Sequence, residues 1–205
     1  MRLTKYGHAC VRIDGPDGAV VIDPGTYSEP VSFDGVSAVL VTHEHADHVD
    51  RDLLRAARDR DPALTVYTHP QLAAELGDGV RAVSPGEVFT AAGFTVRAVG
   101  GEHAEIIDGL PGCANIGFVV NGVYHPGDSL FVPSEPVETL LIPAAGPWLK
   151  IGDAIRFARA VRPRHTFPIH DGVLNDLGLH QFDAWLGDED GIGYARIPLG
   201  ESISL

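Results

Sequence analysis

The chain has 205 residues, 44% of them hydrophobic, and carries 28 acidic against 15 basic side chains for a formal charge of −13. That apolar content excludes a disordered chain, and no run approaches the ~20 apolar residues of a membrane helix. The negative balance repels a phosphate backbone and argues against general nucleic-acid binding.

In chain order, Arg2–Tyr6 and Ala9–Asp14 read as short strands, and the turn Gly15-Pro16-Asp17-Gly18 leads into a third, Ala19–Ile22. Ser37–Val41 is a buried-type apolar run that ends abruptly in polar residues. Asp50 or Asp52 then caps a helix with Leu53, Leu54 and Ala57 on one face. Arg51, Arg55, Arg58 and Arg60, interleaved with Asp52, Asp59 and Asp61, give it a solvated opposite face. Leu64–Thr68 reads as a strand and Pro70–Leu76 as a short helix closed by Gly77. Gly93–Val99, Ile116–Val120 and Val123–Tyr124 are strands, the last two joined by the hairpin signal Asn121-Gly122. Thr139–Ile142 follows as a strand, then Gly152–Val161 as a helix with Ile155, Ala158 and Val161 inward, then His165–Ile169 as a strand. Leu177–Leu186 reads as helical, and Tyr194–Ile197 and Ser202–Leu205 as extended. Strands outnumber helices, so two sheets covered by helices are expected, an α/β protein built as a four-layer αββα sandwich. No linker divides residues 1–205, which are expected to form one domain. The opening MRLTKYGHACVRI lacks the long uncharged segment of a secretory signal. A cytoplasmic location is therefore expected, with Cys10 and Cys113 as reduced thiols.

Ten histidines are the unusual count, and three of them fall in Val41-Thr42-His43-Glu44-His45-Ala46-Asp47-His48. Four donors (His43, His45, Asp47 and His48) within six positions directly after a buried strand can converge on a point if the segment is a loop. Imidazole nitrogen and carboxylate oxygen suit zinc, and manganese or iron as well. One segment cannot complete two metal shells, so remote donors must arrive. His103, Asp128 and His170 each sit just after a predicted strand, where ligand-carrying loops belong. Gly100 and Gly101 before His103 are expected to let the backbone approach closely.

The T-H-x-H-x-D-H loop, Asp23 in VVIDPG before it, and His103, Asp128 and His170 after it in order resemble the metallo-β-lactamase superfamily. The likeness runs from Asp23 to His170. Gly7-His8, His125-x-Gly127-Asp128-Ser129 and Pro143–Gly146 narrow it to a small metal-dependent hydrolase branch. That branch includes ascorbate-6-phosphate lactonase and relatives of N-acylphosphatidylethanolamine phospholipase D. The resemblance implies two divalent ions, zinc ahead of manganese or iron. His43, His45 and His103 would hold the first, and Asp47, His48 and His170 the second. Asp128 would bridge both, with Asp23 steadying the histidine loop. It implies a dinuclear hydrolase in which a metal-bridging hydroxide cleaves an ester, lactone, amide or phosphodiester of a small, anionic or carbonyl-bearing substrate. Asp47 and Asp128 are then catalytic. With one ion only, Asp47 is free to act as a general base.

His8 reads either as a catalytic, substrate-binding residue near the metals or as a hydrogen-bonding core histidine. His125 reads as a support behind the ligands or as a surface strand end. Trp148 reads as a hydrophobic wall for substrate or as core packing, Cys113 as a small buried or pocket-lining residue, and Asp171 as a helix or turn cap. His69, His165 and His180 read as ordinary surface or structural residues. Phe182 and Trp185 on the tail helix read as interface or core, which leaves a homo-oligomer open. The expected partner is a small-molecule substrate, with no nucleic acid and no membrane span. The alternative is a metal-binding sensor or binding protein of the same fold without turnover.

Overall fold

The computed structural model describes residues Met1–Leu205. The first half supplies β1 (Arg2–Lys5), β2 (Val11–Asp14), β3 (Ala19–Ile22), β4 (Ala38–Leu40), α1 (Arg51–Arg60), β5 (Thr65–Thr68), α2 (Pro70–Leu76) and β6 (Val80–Ala82). The second supplies β7 (Val88–Ala91), β8 (Phe94–Glu102), β9 (Ala114–Val120), β10 (Val123–His125), β11 (Thr139–Pro143), α3 (Ile151–Val161), β12 (His165–Ile169) and α4 (Asp176–Gly187), and β13 (Ser202–Ser204) ends the chain. One sheet has the order β13-β1-β2-β3-β4-β5-β6, and the other β12-β11-β10-β9-β8-β7. Strands β3 to β6 run parallel, as do β10 to β12, and the remaining pairs, including β1 with β13, are antiparallel. No helix is long and apolar enough to cross a membrane.

Alternation along the strands sorts side chains into three apolar layers. Val20, Ile22 and Leu40 face Val96, Ile116 and Phe118 between the sheets. Val21, Val39 and Val41, from the opposite face of the same strands, pack under Leu54 of α1 and Leu72 of α2. Leu140 and Ile142 of β11 pack under Phe157 of α3 and Phe182 of α4. Three apolar layers between four structural layers make the expected αββα sandwich.

Several local expectations need correction. β6 and β7 were not anticipated: β6 is a three-residue edge strand, and β7 alternates with Phe89 and Ala91 inward but Val88 and Thr90 outward. Tyr194–Ile197 is no strand, since only a single bridge joins Tyr194 to Thr166. Helix α3 buries Ala154, Phe157 and Ala158, so its inner face is rotated from the expected one and Ile155 and Val161 lie at its margin. The cap of α1 is Asp50, whose carboxylate accepts from the N–H groups of Asp52 and Leu53. On α4, Phe182 belongs to the core while Trp185 is 55% exposed.

The loops that leave β3, β4, β8, β10, β11 and β12 gather at one rim of the sandwich. Two backbone hydrogen bonds cross between the sheets there, from Ile116 N–H to the Thr42 carbonyl (2.9 Å) and from His170 N–H to the His8 carbonyl (3.1 Å). The turn after β3 lies beneath the loop after β4. Thr26 N–H donates to the Ala46 carbonyl (2.8 Å) and Asp50 N–H to that of Pro24 (3.0 Å). Between these contacts sits Gly25, where a Cβ would fall 1.9 Å from the Asp47 carbonyl oxygen. Any side chain there must push the two loops apart, so Gly25→Ala is expected to cost about 3 kcal/mol and lower the melting temperature by roughly 6–12 °C. Calorimetry of both proteins checks this, and an unchanged melting temperature would show that the loops yield freely.

Candidate metal centre

The loop after β4 begins with a fully buried carboxylate from its neighbour strand. Asp23 accepts from Thr42 N–H (2.8 Å), from the Thr42 hydroxyl (2.7 Å) and from His48 Nδ1 (2.7 Å). These bonds fix tautomers. Having given its only proton to Asp23, Thr42 Oγ1 can only accept from His43 Nδ1 at 3.0 Å. His43 and His48 therefore both turn an Nε2 lone pair inward. His103 is set the same way, with Nδ1 donating to the Ala104 carbonyl.

His8 is set the opposite way. Its Nδ1 accepts from Gly172 N–H (3.1 Å), so Nε2 carries the proton and donates to Asp47 Oδ2 (3.1 Å). It is a hydrogen-bonding histidine beside the site, held in the left-handed region at φ 45°; Asp23 and His170 share that conformation at 50° and 54°.

The structure brings all seven expected donors to this rim in two groups. His43, His45, His103 and Asp128 form one; His48, His170, Asp47 and also His8 form the other, with the candidate ligand atoms in each within 4.8 Å of one another. Asp128 reaches across: Oδ1 lies 3.0 Å from His48 Nε2, and Oδ2 lies 3.3 Å from His103 Nε2 and 3.1 Å from His170 Nε2. Despite these approaches, Nε2 of His48 and His103, both nitrogens of His170 and Asp128 Oδ1 are buried without a hydrogen-bond partner. Inward nitrogens facing a carboxylate repel unless a proton or a metal cation lies among them. Three imidazoles gathered around one buried carboxylate offer the donor set of divalent metal ions, which the residues present therefore fit.

Electrostatics agree. Burial lowers the basicity of His48, but Asp23 and Asp128 outweigh it and raise its pKa to about 10. Burial likewise lowers that of His170, and the nearby carboxylates of Asp128 and Asp47 bring it up to about 9. Burial holds His43 well below the ordinary value, helped by the charge on His48. Burial would raise Asp47 and Asp128, yet the surrounding histidines hold both well below the usual carboxylate range.

Other side chains support the rim. His125 is fully buried, not at the surface: Nε2 donates to the Ala9 carbonyl (2.8 Å) and Nδ1 accepts from Gly127 N–H. Trp148 lies at the site, its indole N–H donating to Asp128 Oδ2 at 3.2 Å. His69 is buried, capping α2 and meeting Glu44 of the histidine loop at 3.1 Å. Asp171 is not a side-chain cap; it pairs with Lys5, a buried ammonium that also donates to the Pro168 carbonyl (2.9 Å). Asn115 escaped the sequence reading: its Oδ1 accepts from Asp128 N–H (3.0 Å) and its Nδ2 donates to the Pro126 carbonyl (2.8 Å). Its only signal was an amide opening an otherwise apolar strand. Gly100 takes φ 81°, and a Cβ there would meet only ordinary contacts, so backbone conformation rather than close approach calls for glycine. A cavity of about 760 Å³ opens beside His45 and His103, with Cys113 in its wall and its Sγ 3.9 Å from His45 Nε2.

Residues 2–170 match the family model described as the beta-lactamase superfamily domain. The chain is 42% identical over 181 residues to Protein Rv0786c of Mycobacterium tuberculosis, covering 85% of each chain. It is 34% identical over 126 residues to a UPF0173 metal-dependent hydrolase of Xanthobacter autotrophicus, covering 54% of this chain and 51% of that one. Igni18, a metallo hydrolase of Ignicoccus hospitalis, shares the fold with a TM-score of 0.76 over 98% of this chain and 97% of that chain, at 19% identity.

Two predictions follow from the geometry. Asp23→Asn turns an amide N–H toward groups that need an acceptor, so metal affinity is expected to fall about 10–100-fold. Competition with a chromogenic chelator measures it. The raised values of His48 and His170 mean that metal must displace protons, so affinity climbs with pH until about 9 to 10. For the metal-free protein the sign reverses. Stabilisation by the protonated pair is complete below ~6.5 and is lost as pH rises through about 9 to 10, so its melting temperature falls across that window. A metal affinity that levels off at pH 7 would contradict this.

Proposed function

The chain belongs to the beta-lactamase superfamily, and we propose that it is a metal-dependent hydrolase, one domain over residues 1–205, cleaving an ester, lactone or phosphodiester bond of a small molecule. The observation that carries this reading is the set of buried, unpartnered imidazole nitrogens facing Asp128. In it, His43, His45 and His103 would hold one divalent ion, Asp47, His48 and His170 a second, and Asp128 both. Zinc suits these nitrogen and oxygen donors, as do manganese and iron. When bound, such ions supply an acidified water as nucleophile and polarise the bond under attack.

The chain's own residues do the rest. His8 donates its Nε2 proton to Asp47 Oδ2, the same oxygen that lies 3.4 Å from His170 Nε2 and 3.8 Å from His48 Nε2, and so orients that carboxylate beside the centre. Trp148 holds Asp128 Oδ2 by its indole proton and walls the rim beside His103 and His170, with ring centroids 6.0 and 6.2 Å away. Lys5 anchors Asp171 and the Pro168 carbonyl, which fixes the end of β12 from which His170 projects. Two carboxylates against two dications leave a surplus of positive charge, suited to an oxyanion developing on the substrate.

The test is a panel of ester, lactone and phosphodiester substrates, assayed with and without chelator. Chelator-sensitive turnover of at least one class is expected. His45→Ala and Asp128→Ala should lose both metal, read by elemental analysis, and turnover. His180→Ala, at an exposed position on α4, should keep both. Metal-loaded protein that turns over none of the panel would favour the binding or sensing alternative.

A further inference from the structure

The cavity beside the candidate metal centre has twelve lining residues, and their charge is one-sided. His45 and His103 form its inner end. The His103 side chain is 4% exposed and its Nε2 lies 3.3 Å from Asp128 Oδ2, so the inner end of the cavity abuts the candidate metal centre. Ile106, Leu110 and Pro111 supply an apolar wall, and Leu110 is 52% exposed. The only lining residues with a formal charge are Glu102 and Glu105; there is no lysine or arginine.

Phosphate and carboxylate groups are recognised through guanidinium, ammonium or clustered N–H donors, with charge-assisted bonds that carboxylates cannot make. Walls of one sign also concentrate their field within a cleft and repel ligands of the same sign. Resting on the hydrolase reading above, we infer that this cavity receives a neutral or cationic, partly apolar portion of the substrate, and that it excludes substrates whose corresponding portion is phosphorylated or carboxylated. Substrate then spans two fields: its reacting carbonyl or ester lies at the histidine end, and its uncharged or positive substituent lies between Ile106, Leu110 and the two glutamates. This narrows the expected substrate class, which had included small anions.

The chain carries its own reporter. Cys113 lines the cavity, while Cys10 is fully buried and silent to reagents in the folded protein. Metal-loaded protein is treated with methanethiosulfonates of similar size bearing a trimethylammonium or a sulfonate group, and the two modification rates at Cys113 are compared with those of free 2-mercaptoethanol. The cationic-to-anionic ratio is expected to exceed that of the free thiol by about tenfold or more. It should drop several-fold in the double variant Glu102→Gln, Glu105→Gln. It should stay put in Asp59→Asn, Glu75→Gln, which removes as much charge from a remote surface. A ratio no higher than that of the free thiol, or one that the cavity variant leaves unchanged, overturns the inference. In a second arm, hydrolysis of a choline ester, its 3,3-dimethylbutyl isostere and a carboxylate-bearing counterpart is compared. Preference for the anionic ester also overturns the inference. A high thiol ratio with no turnover of any of these esters or of the lactone and phosphodiester panel instead overturns the hydrolase reading and leaves the cavity's preference standing.

Discussion

A single buried carboxylate organises the rim. Asp23 is shut away from water, and removing such a group from solvent without partners would cost several kcal/mol. Its partners are the first residue of the histidine loop, by main chain and side chain, and one imidazole of that loop. The same bonds that satisfy the carboxylate decide which nitrogens of His43 and His48 face inward. Stability and the arrangement of donors therefore rest on one set of contacts, and the strained backbone at Asp23 is held by them.

From Asp23 the dependence passes across the sandwich. His48 spans Asp23 on the first sheet and Asp128 on the second. Asp128 is itself fixed by Asn115 and Trp148, and His170 by the main-chain bond to His8 and the buried Lys5–Asp171 pair. Asp23, His48, Asn115, Asp128 and His170 in this chain of contacts are all buried. Donors held in advance lose little conformational entropy when a ligand arrives, which is the physical benefit of building a site on strand ends rather than on long loops.

Much of this was legible in the amino-acid order because the signals are local. Four donors in six positions after an apolar run announce a loop at a strand end, and the unbroken apolar runs of β3, β4 and β11 announce strands packed on both faces. What escaped was non-local. The pairing of Lys5 with Asp171 joins residues more than 160 positions apart, and nothing beside either one marks it. Asn115 drew no reading from the sequence, because its meaning lies in the turn that it pins. His125 looked like a strand end because its acceptor, the Ala9 carbonyl, comes from the other sheet. The inner face of α3 is Ala154, Phe157 and Ala158, spaced i, i+3 and i+4, which leaves Ile155 and Val161 at its margin. The protonated nitrogen of His8 could not be assigned without seeing that Gly172 N–H occupies the other one.

The two main-chain bonds that cross between the sheets, at Thr42 with Ile116 and at His8 with His170, make the sandwich asymmetric. One rim is stitched by backbone, whereas the far rim meets through side-chain packing such as Phe94 close beside Gly15. Native-state fluctuations that part the layers will therefore begin away from the histidines, like a book opening from its fore-edge while the spine holds. The amides of Ile116 and His170 belong to the spine and should be among the last to trade their hydrogens with solvent.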